Sequence, residues 1–313
     1  MLRTSALLLI AAIGLVPLVV TGEDALPPLD IKSGQSIIHV TFAPGEIDVP
    51  QASIEAWIST AAKAVAAYFG RFPVAQARIL IRPGEDRRGI SNGTTYGSGP
   101  RGSGPFTRIS VGERVTQQEL DRDWMMTHEL IHMAFPDIAG DDREHHWIEE
   151  GMATYIEPIA RARVGSLKVD DVWLELVRSL PQGLPREGDE GLDHTHTWGR
   201  TYWGGALYWL LADVKIRENT KNQKGLEDAM RGILNAGGSI EQEWPIERVL
   251  QTGDRAVGGT VLTDLYDQMK AKPVRTDLAD LWRRLGIELI DGGLRYNDRA
   301  PLSDIRKSIV KAP

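Results

Sequence analysis

The stretch "DWMMTHELIHMAF", residues 123–135, decides how the rest of this chain is read. Two histidines, His128 and His132, stand four residues apart, and Glu129 follows the first directly. On a helix, side chains at i and i+4 leave from one face, so both imidazoles can converge on one cation while Glu129 lies beside it. Zinc accepts imidazole nitrogen and carboxylate oxygen, and a catalytic centre uses three protein ligands with a fourth position open to water. Two histidines are two of the three. Without another ligand the same pattern describes a buried helix whose histidines are satisfied by hydrogen bonds.

The rest of the chain restricts where a third ligand can come from. There is no cysteine among the 313 residues, which excludes disulfides, thiolate metal ligands and a lipid-anchored cysteine. Any metal must be held by histidine and carboxylate. Composition is that of a globular protein, 42% hydrophobic and 25% charged. The net charge of -7 and the lack of a dense Lys/Arg block argue against a nucleic-acid partner, which needs a clustered basic surface.

The first residues read "MLRTSALLLIAAIGLVPLVVTGEDALPP": one arginine, an apolar run from Ala6 to Val20, then small and acidic residues. That order is expected of a cleaved export signal over residues 1–22, with Val20 and Gly22 at the small-residue positions before the cut. The alternative is an uncleaved N-terminal membrane anchor, against which Pro17 and the shortness of the run argue. No other stretch is apolar enough to span a bilayer. The expected location is therefore outside the cytoplasm, periplasmic or secreted.

After the signal the pattern predicts an α+β fold. Strands are expected over 36–42, 77–83 and 107–113, with an amphipathic helix over 51–72 whose apolar face carries Ile54, Trp57, Ile58, Ala61, Val65 and Tyr68. The segment "GEDRRGISNGTTYGSGPRGSGPF" is rich in Gly, Ser and Pro and reads as loop. From residue 116 the pattern turns helical. Thr116 and Glu119 form a capping box expected to open the helix that carries the histidines. Further helices are expected near 146–157, 199–218, 224–236, 240–252, 258–270 and 277–285. The division expected is 23–115, a small α/β part with an edge strand, and 116–313, a mainly helical part.

Downstream of His132, "HHWIEEGMATYIEP" (145–158) forms a second amphipathic pattern with adjacent carboxylates, Glu149 and Glu150. One residue along a helix turns a side chain by about 100°, so the two cannot aim equally well at one ion. Together "HELIH" and "WIEEGMATYIE" resemble the gluzincin metallopeptidases, above all the aminopeptidase N and glycyl aminopeptidase families, in which a Trp-x-x-Glu-Gly-x-Ala pattern supplies the third zinc ligand. The resemblance implies a thermolysin-like catalytic fold and places that ligand at Glu150. Seventeen residues separate His132 from Glu150, one fewer than is usual in the aminopeptidase N family. Glu157, two turns further along, is a candidate to hydrogen-bond a ligand histidine. His145 and His146 read as surface or rim residues, because "MAFPDIAG" lacks the glycine and third histidine of the metzincin pattern.

The segment "GRTYWGGALYWLLADVKIRENTKNQKGLEDAM" (199–230) is similar to a helix of the same families, where a Tyr precedes a Lys-Gly pair and the helix runs on to Asp-x-x-Ile-Arg. The resemblance gives Tyr202 the role of donor to the oxyanion that forms as water attacks a carbonyl. Two departures accompany it. Gly204 stands where Lys is common, and the stretch "SNGTTYGSGPRGSGPFTRISVG" offers no glutamate equivalent to the one that binds the substrate's amino terminus in aminopeptidases. A substrate ammonium needs a carboxylate partner, so an exopeptidase is unsupported, and the strand "TRISV" is expected to bind an extended peptide at a sheet edge.

The expectation is a zinc-dependent peptide hydrolase, an endopeptidase or an atypical aminopeptidase, that attacks a peptide bond with metal-activated water. His128, His132 and Glu150 would hold Zn, Glu129 would move the proton, and Tyr202 would meet the oxyanion. The rival is an inactive, zinc-stabilised binding or scaffold protein of the same fold.

Overall fold

The computed structural model describes residues 25–98, 102, 104–140 and 142–312. The expected export signal lies outside the described residues. Within them no helix is long and apolar enough to cross a membrane.

The N-terminal part is a five-stranded sheet: β1 (Leu29–Ser33), β2 (Ser36–Phe42), β3 (Gln76–Gly84), β4 (Ile90–Tyr96) and β5 (Phe106–Gly112). Their order across the sheet is β1-β2-β3-β5-β4. β2, β3 and β5 run parallel, and the two outer strands run antiparallel to their neighbours. Alternate residues Ile38 and Val40, Ala77, Ile79 and Ile81, and Ile109 and Val111 are buried on one face, the period-2 pattern of a half-covered sheet. α1 (Gln51–Phe69) covers that face with all six of the apolar residues named from the sequence buried. It ends at Gly70, whose φ of 83° lets the chain leave the helix without a Cβ penalty.

Two strand assignments are corrected. The Gly/Ser-rich segment read as loop contains β4, and "TRISV" lies inside the sheet between β3 and β4, not on its edge. β4 is the edge strand. Its alternation is broken by a register shift between Ser91 and Thr94 and by Asn92 at φ 53°, so period-2 reading finds no strand there.

The helical part begins with another correction. The Thr116–Glu119 capping box forms, but it opens only α2 (Gln117–Arg122). The chain then straightens at Asp123, and a new helix, α3 (Met125–His132), carries the histidines. Asp123 starts it: its carboxylate accepts from the Met125 and Met126 N–H groups at 3.1 and 2.9 Å and from the Trp57 indole at 2.9 Å. After the short strand β6 (Asp137–Ile138) comes α4 (Asp142–Arg163), longer than expected at both ends. α5 (Val169–Ser179), absent from the sequence reading, buries Val172, Trp173 and Leu176.

A π-helical turn, Gly199–Gly204, leads into α6 (Gly205–Asn219). The remaining elements are α7 (Leu226–Asn235), β7 (Glu243–Trp244) paired with β6, α8 (Ile246–Val257), α9 (Val261–Met269), α10 (Leu278–Leu285), the hairpin β8 (Ile287–Ile290) and β9 (Gly293–Tyr296), and α11 (Ser303–Ile309). Sheet and helices share one buried apolar cluster.

α4 and α6 set the frame of the site. A Cβ on Gly151 would stand 2.3 Å from the Gly205 backbone, and one on Gly205 would stand 2.1 Å from the Trp147 carbonyl oxygen. The helices touch backbone to backbone there. Further along, Asp213 and Arg217, the Asp-x-x-Ile-Arg pair, form a buried ion pair at 2.8 Å, with Tyr155 donating to Asp213 at 2.9 Å and Arg217 reaching Glu227 at 2.6 Å. Every buried charge in this group has a partner, the condition for keeping charge in a core.

Candidate metal centre

α3 and α4 bring three donors to one point. His128 Nε2 lies 3.0 Å and His132 Nε2 3.7 Å from Glu150 Oε2. The two imidazole centroids are 4.9 Å apart, and the three ligand atoms lie within 4.8 Å of one another. Tetrahedral bonds of about 2.0–2.1 Å put ligand atoms roughly 3.3 Å apart, so His128, His132 and Glu150 fit a zinc ion with little movement. The adjacent Glu149 turns elsewhere, its Oε1 accepting from the Ile138 N–H at 3.2 Å. His146, half exposed, reaches the other oxygen of Glu150 at 3.6 Å, at the rim of the same cavity.

The electrostatics suit such a centre. Burial works to raise the Glu150 carboxyl, but the His128 hydrogen bond and the charges of His132, His128 and His146 hold it down to about 2. It is a carboxylate at any working pH. Burial lowers the His132 imidazole against the pull of Glu150, keeping the ring neutral as a metal ligand requires.

Glu129 sits beside this triplet on the same turn of α3 and is buried. Thr95 Oγ1 on β4 donates to Glu129 Oε2 at 2.8 Å and is itself 2.8 Å from the Thr107 hydroxyl. Burial raises the Glu129 carboxyl, against the charge of His132 and the Thr95 hydrogen bond. β4 passes so close that a Cβ on Gly93 would stand 2.6 Å from Glu129 Oε1. Gly93 therefore has to be glycine for Glu129 to hold this position.

Tyr202, in the π-helical turn, faces the same cavity of about 440 Å³ that the three donors and Glu129 line. Its ring stacks on His128 with centroids 6.5 Å apart. Burial, Glu150 and Glu129 push its phenol up to about 12, so it remains a proton donor. A π turn inserts one extra residue into a helix and re-aims the side chains around it. Nothing in the sequence pattern distinguishes it from an ordinary helical start. Trp203, Tyr208 and Trp209 are buried packing residues.

One further residue stands apart from its expected place. Glu157 touches no histidine; it accepts from Arg161 at 2.8 Å in the interior, one helical turn away. His145 is half-buried at the rim of a second pocket and bonded: its Nε2 lies 3.1 Å from the Tyr266 hydroxyl, which donates to Asp193, and Asp193 also accepts from the Trp147 indole at 2.8 Å. Asp193 thereby fixes Trp147 and with it the register of α4; a lone Asp forty-six residues on gave no sequence signal. A Cβ on Gly204 would stand 2.8 Å from Leu192 Cδ2 and 3.3 Å from the Gly183 carbonyl oxygen, so a lysine there would require the Leu192 side chain to shift.

The chain is similar to solved structures of M1 zinc metallopeptidases. It covers 88% of itself and 53% of an aminopeptidase N family protein from Idiomarina loihiensis, with a TM-score of 0.61 and 13% identity. For an M1 zinc metallopeptidase from Deinococcus radiodurans the shares are 81% and 52%, the TM-score 0.50 and the identity 15%. The chain thus spans about half the length of these relatives, and the likeness is one of fold. No protein-family model and no curated protein matches the chain. The structure has the mixed helix-and-sheet fold of the M1 metallopeptidases, a coarse expectation of the sequence that stands.

Proposed function

We propose that this protein is a zinc-dependent peptide hydrolase. The observation that carries the reading is the convergence of His128, His132 and Glu150 at one point, with Glu129 held beside them by Thr95 on the wall of an open cavity. A structural zinc site has no need of the last feature. When bound, zinc acts as a Lewis acid toward water and the substrate carbonyl.

The chain's own residues supply the rest. Glu129, its carboxyl raised by burial, accepts a proton from the attacking water and returns it to the leaving amine. Tyr202, still protonated, donates a hydrogen bond to the oxygen on which negative charge grows. β4 offers a free sheet edge along the cavity to which an extended peptide adds as a further strand. β4 carries no carboxylate for an amino terminus, which favours cleavage within a peptide; in an atypical aminopeptidase Asp137 or Glu149, in the same cavity, would take that role.

Purified protein analysed for metal and incubated with a peptide library, with products read by mass spectrometry, tests this. One zinc per chain and internal cuts are expected. A chain with stoichiometric zinc that cuts nothing would be the scaffold rival. Cuts one residue from free amino ends would reassign it as an aminopeptidase and direct attention to Asp137 and Glu149, which line the same cavity.

A further inference from the structure

Four rings follow one another in a row, three of them lining the cavity. Trp124 lies edge-on to His128 with centroids 5.4 Å apart, His128 stacks on Tyr202, and Tyr202 stacks on Trp198 at 5.8 Å and 28° between planes. The inner two belong to the centre described above. The outer two are large apolar side chains left in solvent, Trp124 at 49% and Trp198 at 60% exposure. Indoles are rarely left so open when packing alone decides. Among the described residues only six large apolar side chains are exposed, and these two stand beside the centre. Trp124 also lines the cavity, and Trp198 leans on the phenol that faces it.

We propose that Trp198, with the Tyr202 ring it stacks on, forms a specificity wall that takes an aromatic or large aliphatic side chain from the substrate residue whose carbonyl is attacked. This rests on the peptide-hydrolase reading. The placement rests on Tyr202: its hydroxyl would meet that carbonyl oxygen, and the exposed Trp198 indole stacks on its ring at the edge of the cavity that Tyr202 lines. Covering exposed indole with an apolar side chain removes area from water on both partners, and aromatic pairs gain further from stacking. The lining points the same way. Among the described residues lining the cavity there is no lysine or arginine, whereas Glu129, Asp137, Glu149 and Glu150 all are. An acidic substrate side chain finds no lysine or arginine to pair with there and meets carboxylates instead.

Hydrophobic pockets discriminate by roughly 10- to 200-fold. Peptides blocked at both ends and differing only at the residue before the cut should show kcat/KM at least about tenfold higher for Phe or Leu than for Ala, and lowest for Asp. Trp198→Ala should reduce the Phe-to-Ala ratio about tenfold, while Trp198→Phe should retain most of it. A purely structural effect on Tyr202 would lower every substrate alike and leave that ratio unchanged, which would overturn the proposal.

Binding of the same peptides to zinc-loaded Glu129→Gln, followed by calorimetry, separates this inference from the reading beneath it. Tighter binding of the Phe peptide without turnover by the parent protein would sink the hydrolase and keep the wall. Equal affinities for Phe and Ala, or no binding of either, would overturn the wall whatever the turnover.

Discussion

The cleft has a helical wall and a strand wall, and each contains a glycine that cannot carry a side chain, for different reasons. On the helical wall, Gly151 meets backbone: α4 and α6 pass so close that the atoms in the way belong to Gly205 itself. On the strand wall, Gly93 meets the end of one side chain, the Glu129 carboxylate. Backbone inside a packed core cannot step aside, whereas a carboxylate can rotate away. The first glycine therefore maintains the fold and the position of Glu150, and the second maintains the position of Glu129 alone.

Substitutions can break or sharpen that contrast. Gly151→Val should be the most damaging, costing more than about 4 kcal/mol and leaving little soluble folded protein; recovery of a normally melting variant would show that α4 and α6 are not in backbone contact. Gly93→Ala should fold, retain one zinc and melt within a few degrees of the parent, yet lose on the order of 10²-fold in kcat as Glu129 is displaced. Equal losses of stability at the two glycines would erase the distinction.

Asp213→Asn tests the helical wall remote from the metal. It removes the negative charge that Arg217 and Tyr155 both face, and denaturant unfolding should show a loss of about 3 kcal/mol, the usual consequence of stranding a buried charge. A loss below about 1 kcal/mol would mean that Glu227 alone suffices for Arg217.

At Glu157 the expected effect is a pH dependence of stability. Burial raises its carboxyl to about 8 despite Arg161. The folded chain then holds a proton that the unfolded chain releases near its ordinary, lower value. The stability this contributes is complete at acid pH below that ordinary value and drains away as pH rises through about 8. Thermal melts across that range should show a smaller loss for Glu157→Gln than for the parent. Identical slopes would indicate that the carboxyl is ionised throughout in its pair with Arg161.

The two walls were also unequally legible in the sequence. The helical wall announces itself: His128, Glu129 and His132 share a helix, and Glu149 and Glu150 cannot both face the same ion. The strand wall is hidden, because Asn92 at positive φ and Gly93 interrupt β4 at its centre and a register shift between Ser91 and Thr94 destroys its alternation, despite Ile90, Thr94 and Thr95. Where the strand passes over the carboxylate it gives up one side chain, at Gly93. The capping box at Thr116 is a true helix start, but of α2 alone; the restart at Asp123 has a local signal, an aspartate that accepts from the Met125 and Met126 N–H groups, while its link to the Trp57 indole sixty-six residues away has none. α5 is a different case. Val172, Trp173 and Leu176 carry an ordinary helical period, and the signal was present in the sequence.

The most direct test of the zinc hydrolase reading is a side-by-side assay of the parent and Glu129→Gln, with zinc content and peptide turnover measured on the same preparations. Equal zinc, near one per chain, with turnover reduced roughly 10³-fold is the expected result. Undiminished turnover in the variant, or a parent protein that binds no zinc, would contradict it.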